Sequence, residues 1–224
     1  EAVKKGEVPM SRIDDAVKRI LVMKYKTGLF ENPYPEPASF GNFGKPEFQQ
    51  YALDAAREAM TLLKNSDQVL PLAKNKKVLV AGPAAQSISA LNGCWSYTWQ
   101  GNVDKWYPAD SKTIYQSFID KIGAANVITT TQPGFDSPQN YDVNALKKAA
   151  AGVDVIVLCI GENAYAESPG NIRDLALPKE QEDLVTAAAL TGKPVILVLT
   201  EGRPRFISNI EPAVKGILMA YWSG

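Results

Sequence analysis

Histidine is missing from this 224-residue chain. Its absence removes Ser-His-Asp and Cys-His catalysis from these residues, and with them the commonest zinc ligand. Cysteine is scarce: Cys94 and Cys159 stand far apart and form no metal-spaced motif. Cys159 lies inside an apolar run and reads as a small core residue. Neither sign of charge is in excess, with 24 Lys+Arg against 24 Asp+Glu, so the basic surplus of a nucleic-acid binder is lacking. No apolar run approaches the roughly 20 residues of a transmembrane helix, and no basic amphipathic stretch suggests a membrane surface. G-x-G-x-x-G, G-x-x-x-x-G-K-[ST] and G-x-S-x-G do not occur, which leaves nucleotide binding and the nucleophile elbow without a footing. No metal and no cofactor is therefore expected. The N-terminal Glu1-Ala2-Val3-Lys4-Lys5 is polar and has no start methionine, so the sequence reads as beginning mid-protein and its compartment cannot be taken from a leader.

What is present is ordinary globular material, 46% hydrophobic and 21% charged, in a repeating order of helix and strand. Ser11-Arg12-Ile13-Asp14 has the form of a capping box opening a helix. Ile13, Val17, Ile20 and Leu21 give that helix one apolar face, and Gly28 suits its end. Proline and glycine then crowd residues 31–46, which predicts an irregular linker. The spacing predicts helices over 47–65, 111–122, 143–151 and 178–190, with Pro178 in the first turn of the last. Apolar, β-branched runs predict strands over 77–82, 126–131, 153–160, 194–199 and 214–220. This is an α/β pattern: a mostly parallel sheet with helices on both faces. The predicted organisation is residues 1–30 as the terminal helix of a preceding domain, 31–46 as linker and 47–224 as an α/β domain. The chain stops at Tyr221-Trp222-Ser223-Gly224 just past a strand, and truncation there is expected too.

Ligands of open α/β sheets bind beyond the carboxyl ends of the strands. Gathered there are Asn92-Gly93-Cys94-Trp95-Ser96-Tyr97-Thr98-Trp99-Gln100-Gly101, then Gly161-Glu162-Asn163-Ala164-Tyr165-Ala166-Glu167, then Glu201-Gly202-Arg203-Pro204, then Trp222. That rim is aromatic and acidic. Rings stack on sugar C–H faces, carboxylates accept from sugar hydroxyls, and glycosidases work with a pair of carboxyls. Plainer readings stand beside each of these. Trp95, Tyr97 and Trp99 alternate, and on pattern alone one face of a short strand is favoured. Glu162 follows a buried strand and is as well explained by a hydrogen bond to nearby backbone. Glu167 alone reads as a solvated loop residue, Arg173-Asp174 as a local ion pair, and Arg203 as a brace for its loop.

Taken together and in order, these segments resemble glycoside hydrolase family 3, in its β-glucosidase and β-glucan exohydrolase branch. Arg12–Leu21 with Gly28-Leu29-Phe30-Glu31 is similar to the last helix of that family's first, (β/α)8-type domain. Ala56–Asn65 with Leu70-Pro71-Leu72 is similar to the opening of its second. Gly93–Gly101 resembles the family's G-G-W-x-x-x-W-Q-G segment, with Cys94 where glycine is frequent, and Gly161-Glu162-x-x-Tyr165-x-Glu167 with Gly202-Arg203-Pro204 completes the match. The resemblance implies a retaining, exo-acting enzyme that removes terminal β-D-glucosyl residues from oligosaccharides or β-glucans. It implies Glu167 as acid/base, and Trp99, with Trp95 and Tyr165, at the substrate. Glu162, Arg173 and Arg203 would be supports, and the nucleophile an aspartate of the barrel domain outside this chain. On that footing the isolated segment is expected to be inactive, its partners are a β-linked glucoside and the barrel domain, and its compartment is extracellular or periplasmic. Two alternatives stand beside it: a β-xylosidase or other exo-glycosidase within the family, and a non-catalytic, flavodoxin-like binding domain.

Overall fold

The computed structural model describes residues 1–130, 134–135 and 141–224, and divides them into two compact units, Glu1–Ala52 and Leu53–Gly224. In the first unit, α1 spans Met10–Lys26. It starts two residues earlier than the capping-box pattern suggests. Pro9 takes the capping position and makes no side-chain cap bond, so Ser11 falls inside the first turn and the predicted capping box does not form. Thr27 closes the other end, its hydroxyl donating to the carbonyls of Met23 and Lys24. Within the predicted irregular linker, Pro37–Asn42 forms a short 3-10 helix.

Helix α2 runs from Pro46 to Ala59, and here the predicted helix over 47–65 is wrong in its last third. Thr61–Asn65 is a strand, β1. Leu62-Leu63 favours helix by local propensity, but the backbone here is taken up by sheet pairing, and tertiary context outweighs a few tenths of a kcal/mol per residue of propensity. Lys64 fastens the strand by donating to Glu211. The Asn65 side chain holds its end by exchanging two hydrogen bonds with the Leu70 backbone.

The other strands of the second unit are β2 (Val78–Ala81), β3 (Val127–Thr129), β4 (Val155–Gly161), β5 (Val195–Thr200) and β6 (Gly216–Met219). Its further helices are α3 (Ile114–Ile122), α4 (Val143–Ala150) and α5 (Lys179–Ala189). Each lies where the sequence predicts, within a few residues. Thr131, the last residue of the predicted 126–131 strand, lies outside the described residues. Helix α3 begins after Thr113, whose side chain and Gln116 form a reciprocal capping box. Pro178 is the N-cap of α5 and stands just outside its first turn.

Among the described residues, six strands form one sheet in the order β1-β6-β5-β4-β2-β3. Every pair is parallel except β1 with β6. Alternate side chains serve opposite faces. Leu79, Ile156, Leu158 and Leu197 pack with Leu146 of α4 and Leu184 and Val185 of α5. Val78, Val80, Val155 and Val157 pack with Ile114, Phe118 and Ile119 of α3. Helices therefore cover both faces, and every residue of β4 is buried. Burying a Leu or Ile fully contributes about 2 kcal/mol, so this central layer is where the unit's stability is concentrated.

The chain lays β3 on one side of β2 and then returns to lay β4 on the other. The order reverses between β2 and β4, and the loops leaving those two strands flank a topological switch point. Gly161, the last residue of β4, has φ +136, and a Cβ there would run into the Thr200 carbonyl oxygen of β5. Gly192 has φ +75 but open space around it. Gly192→Ala should therefore cost about 1–2 kcal/mol of backbone strain, while Gly161→Ala should cost clearly more because main chain must move as well. Denaturant unfolding of the two variants checks this, and equal losses would contradict the close-approach argument.

Candidate active site

The loop after β4 is fixed at Gly161, Glu162, Tyr165 and Ala166. At its start, the buried amide of Gln181 accepts from the Gly161 N–H and donates to the Gly161 carbonyl, both at 2.9 Å. Glu162 follows, only 6% exposed. One carboxylate oxygen accepts the backbone N–H groups of Gly202 and Arg203, both at 3.2 Å. The other accepts Arg203 Nε at 3.1 Å, Arg205 Nε at 2.9 Å and Arg205 Nη2 at 2.6 Å. A buried carboxylate needs such partners, since its desolvation otherwise costs several kcal/mol. The two arginines carry the network outward: Arg203 donates to the Gly170 carbonyl at 2.7 Å and Arg205 to that of Ala176 at 3.0 Å.

Tyr165 is packed from two sides. The Arg203 guanidinium lies 3.9 Å from its ring centroid, and Trp222 meets it nearly edge-on at 4.9 Å. A Cβ on Gly170 would strike the same ring. Little of that face is left for a ligand. Burial first, and the Glu162 charge next, push the Tyr165 hydroxyl above the ordinary phenol range. Ala166 is pinned by Gln100, whose Oε1 accepts its N–H at 2.9 Å and whose Nε2 donates to its carbonyl at 3.2 Å.

Glu167 comes next and differs from everything before it. It is exposed, and among the described residues its carboxylate has no hydrogen-bond or ion-pair partner. Its backbone sits at φ 52, ψ −144, a region that costs a non-glycine residue about 1–3 kcal/mol and persists only where the surroundings impose it. Such strain is concentrated at functional positions.

Across the switch point, the segment from Gly93 to Gly101 is a closed loop. The predicted strand face for Trp95, Tyr97 and Trp99 does not form. Trp95 has φ 57, its N–H bonds to the Trp99 carbonyl at 3.1 Å, and Gly101 approaches Gly93 so closely that a Cβ would meet its carbonyl. The Tyr107 hydroxyl ties the loop down, bonded at 2.7 Å to both the Gly101 carbonyl and the Ser96 hydroxyl. Tyr97 packs edge-on against Tyr107. All three loop aromatics remain exposed.

The remaining predicted residues divide. Arg203 belongs to the Glu162 network. Arg173 is exposed, and among the described residues it joins neither that network nor an ion pair with Asp174, whose carboxylate instead accepts the Ala176 N–H at 2.9 Å. Four contributors escaped the sequence reading: Arg205, Gln100, Gln181 and the state of Glu201. Arg205 had a signal, because Gly-Arg-Pro-Arg places two cations at period two after a strand end. Gln181 carried none, and Gln100 is the glutamine of the W-Q-G segment, to which the resemblance assigned no role. Among the described residues no three His, Cys, Asp or Glu side chains are grouped to hold a metal.

Glu201, the residue after β5, is 1% exposed, and among the described residues neither of its oxygens accepts a hydrogen bond. Burial pushes its pKa from 4.5 up to about 7; the Glu162 charge adds to this, and the Arg205 backbone and guanidinium oppose it. In the unfolded chain the group ionises near 4.5, so between about 4.5 and about 7 the folded state holds a proton that the unfolded state has released. Stability should fall as pH rises through that window and level off above it. Glu201→Gln should remove this slope, gaining on the wild type above pH about 7 relative to its value below pH about 4.5. Denaturant titrations across that range check it, and an unchanged slope would count against a buried, protonated Glu201.

Residues 60–224 match the glycosyl hydrolase family 3 C-terminal domain. A lysosomal β-glucosidase of Dictyostelium discoideum is 38% identical over 100% of this chain and 28% of its own length. A periplasmic β-glucosidase of Salmonella typhimurium is 30% identical over 99% of this chain and 32% of its own. β-Xylosidases are also among the relatives. Among solved structures, a β-glucosidase of Listeria innocua in complex with laminaribiose superposes with a TM-score of 0.79 at 26% identity, over 100% of this chain and 30% of that one. The chain thus spans about a third or less of the proteins it matches.

Proposed function

The chain belongs to glycosyl hydrolase family 3, and from that membership we propose that it supplies the general acid/base of an exo-acting, retaining β-glucosidase. The observation that carries the reading is Glu167: an unengaged carboxylate on strained backbone, at the end of a loop anchored through Ala166, beside the topological switch of the sheet. In this reading Glu167 protonates the departing glycosidic oxygen while an aspartate outside residues 1–224 attacks the anomeric carbon. Glu167 then takes a proton from the water that releases the terminal β-D-glucosyl residue.

Trp99, and with it Trp95, offers the exposed ring surface on which a sugar stacks on the leaving-group side. Tyr165 holds its loop more than it faces a substrate, and Arg203 with Glu162 supports it from below. Arg173 is the weakest of the proposed supports, being outside that network. The relatives' names favour a β-glucoside, and laminaribiose bound to the Listeria innocua enzyme agrees with it; the xylosidases among the relatives keep a β-xyloside as the second reading. The relatives' glycosidase names disfavour the flavodoxin-like binding domain. The names "lysosomal" and "periplasmic" favour a compartment outside the cytosol, in keeping with an extracellular or periplasmic enzyme. The barrel domain is the proposed intramolecular partner.

Alone, residues 1–224 should show no glycosidase activity, because they hold one member of the carboxyl pair. In a protein of the relatives' length, Glu167→Ala should lower kcat/KM on an alkyl β-glucoside by about 10²–10⁴-fold and on a dinitrophenyl β-glucoside far less, since that leaving group needs no proton. Full activity on the alkyl glucoside would sink the assignment. Trp99→Ala should raise KM by roughly tenfold, the worth of one stacked ring. Rates on matched glucosides and xylosides decide between the two sugars.

A further inference from the structure

The bonds between Gln100 and Ala166 join two loops that the proposed chemistry needs to act together. One carries Trp99, the residue immediately before Gln100. The other carries Glu167, the residue immediately after Ala166. A single side-chain amide does the joining, accepting the Ala166 N–H at 2.9 Å and donating to the Ala166 carbonyl at 3.2 Å. Ala166 is 3% exposed, so water cannot readily replace either bond, and a variant without the amide would leave a buried peptide group unsatisfied.

The geometry bears on Glu167 directly. The Ala166 carbonyl and the Glu167 nitrogen belong to one rigid peptide plane. Holding that carbonyl fixes the plane from which Glu167 turns through φ 52. A left-handed, extended-ψ conformation at a glutamate relaxes unless its neighbours impose it, and among the described residues the two bonds from Gln100 are the side-chain hydrogen bonds made to Ala166. The other end of the amide's own residue is held as well. The Gly101 N–H donates to the Thr98 hydroxyl at 3.1 Å and the Gly101 carbonyl accepts the Tyr107 hydroxyl at 2.7 Å. The Tyr107–Gly101 hydrogen bond, the covalent Gln100–Gly101 link and the Gln100–Ala166 bonds therefore connect Tyr107 to the plane preceding Glu167.

We propose that Gln100 is a positioning residue for acid/base catalysis, setting the Glu167 carboxyl relative to the aromatic loop by clamping the Ala166 main chain. This rests on the reading of Glu167 as the acid/base. Gln100 itself touches no reacting atom. Its contribution is orientation, and misplacing a catalytic group by about 1 Å can cost on the order of 10²-fold in rate. The loss should fall on steps that need a proton delivered.

The test uses the protein at the length of its relatives and two variants. Gln100→Ala removes both bonds. Gln100→Glu keeps the size and the acceptor but sets an oxygen against the Ala166 carbonyl. Rates are read on a dinitrophenyl glycoside and on an alkyl glycoside of the sugar the enzyme prefers, with Glu167→Ala in parallel and thermal melting to select folded variants. If Gln100 positions the acid, the folded variants lose roughly 10- to 100-fold in kcat/KM on the alkyl glycoside and less than about threefold on the dinitrophenyl glycoside, mirroring Glu167→Ala in kind. Equal losses on the two substrates, or none, with Glu167→Ala still selective, would overturn the role of Gln100 and leave Glu167 standing. An unselective Glu167→Ala would overturn both. Should Gln100→Ala fail to fold, Gln100→Glu alone decides.

Discussion

Glu162 is a carboxylate that five donors enclose, two of them backbone N–H groups and three the nitrogens of Arg203 and Arg205. The rest of the carboxyl edge depends on this enclosure. Its backbone donors lie in the turn after β5, and its cationic partners reach on to Gly170 and Ala176. One buried charge thus gathers the loops of two neighbouring strands and the far end of its own loop. The arrangement is costly to assemble and more costly to damage: removing one partner of a buried ion pair typically loses about 3–5 kcal/mol, because the other charge is stranded. Glu201 stands beside this cluster without a share in its hydrogen bonds, and burial pushes its pKa up instead.

The glutamines solve a different problem with a neutral group. A side-chain amide has a donor and an acceptor side by side, spaced as in a strand's own peptide. Gln181 uses it on Gly161 and Gln100 on Ala166, so each end of the loop is paired as if another strand ran beside it. No charge is buried in doing so, and both partner groups are satisfied. The loop is therefore held by ions in one place and by amides in two, and its exposed glutamate begins where these anchors stop.

Much of this architecture could be read before any coordinates. β-branched runs marked five of the six strands, and the rule that ligands gather at strand carboxyl ends brought Glu162, Glu167 and the aromatic segment into one neighbourhood. What stayed illegible has a common cause: the deciding partner lies far away in sequence. Leu62-Leu63 is helix-forming by itself, and pairing with the distant β6 makes the segment a strand. Trp95, Tyr97 and Trp99 have a strand's period, yet Tyr107 and the contact of Gly93 with Gly101 bend them into a loop. Gln181 belongs to no pattern, and Gln100 only to a motif that does not name its partner, because an amide's worth is set by the peptide it meets. Glu162 and Glu167 looked alike as residues; family resemblance separated them by role, and the fold places one among five donors and the other in the open.

The antiparallel edge carries a consequence of another kind. Thr61 pairs with Met219, so the earliest strand of the sheet finds its partner in the latest. On a ribosome β1 emerges long before β6 exists, with Leu62 and Leu63 beside an unfilled backbone edge. Contacts of such sequence separation form late, since loop-closure entropy must be overcome first. Until β6 has been made, β1 lacks its ladder partner and presents an unpaired edge of the kind that a stray strand can join.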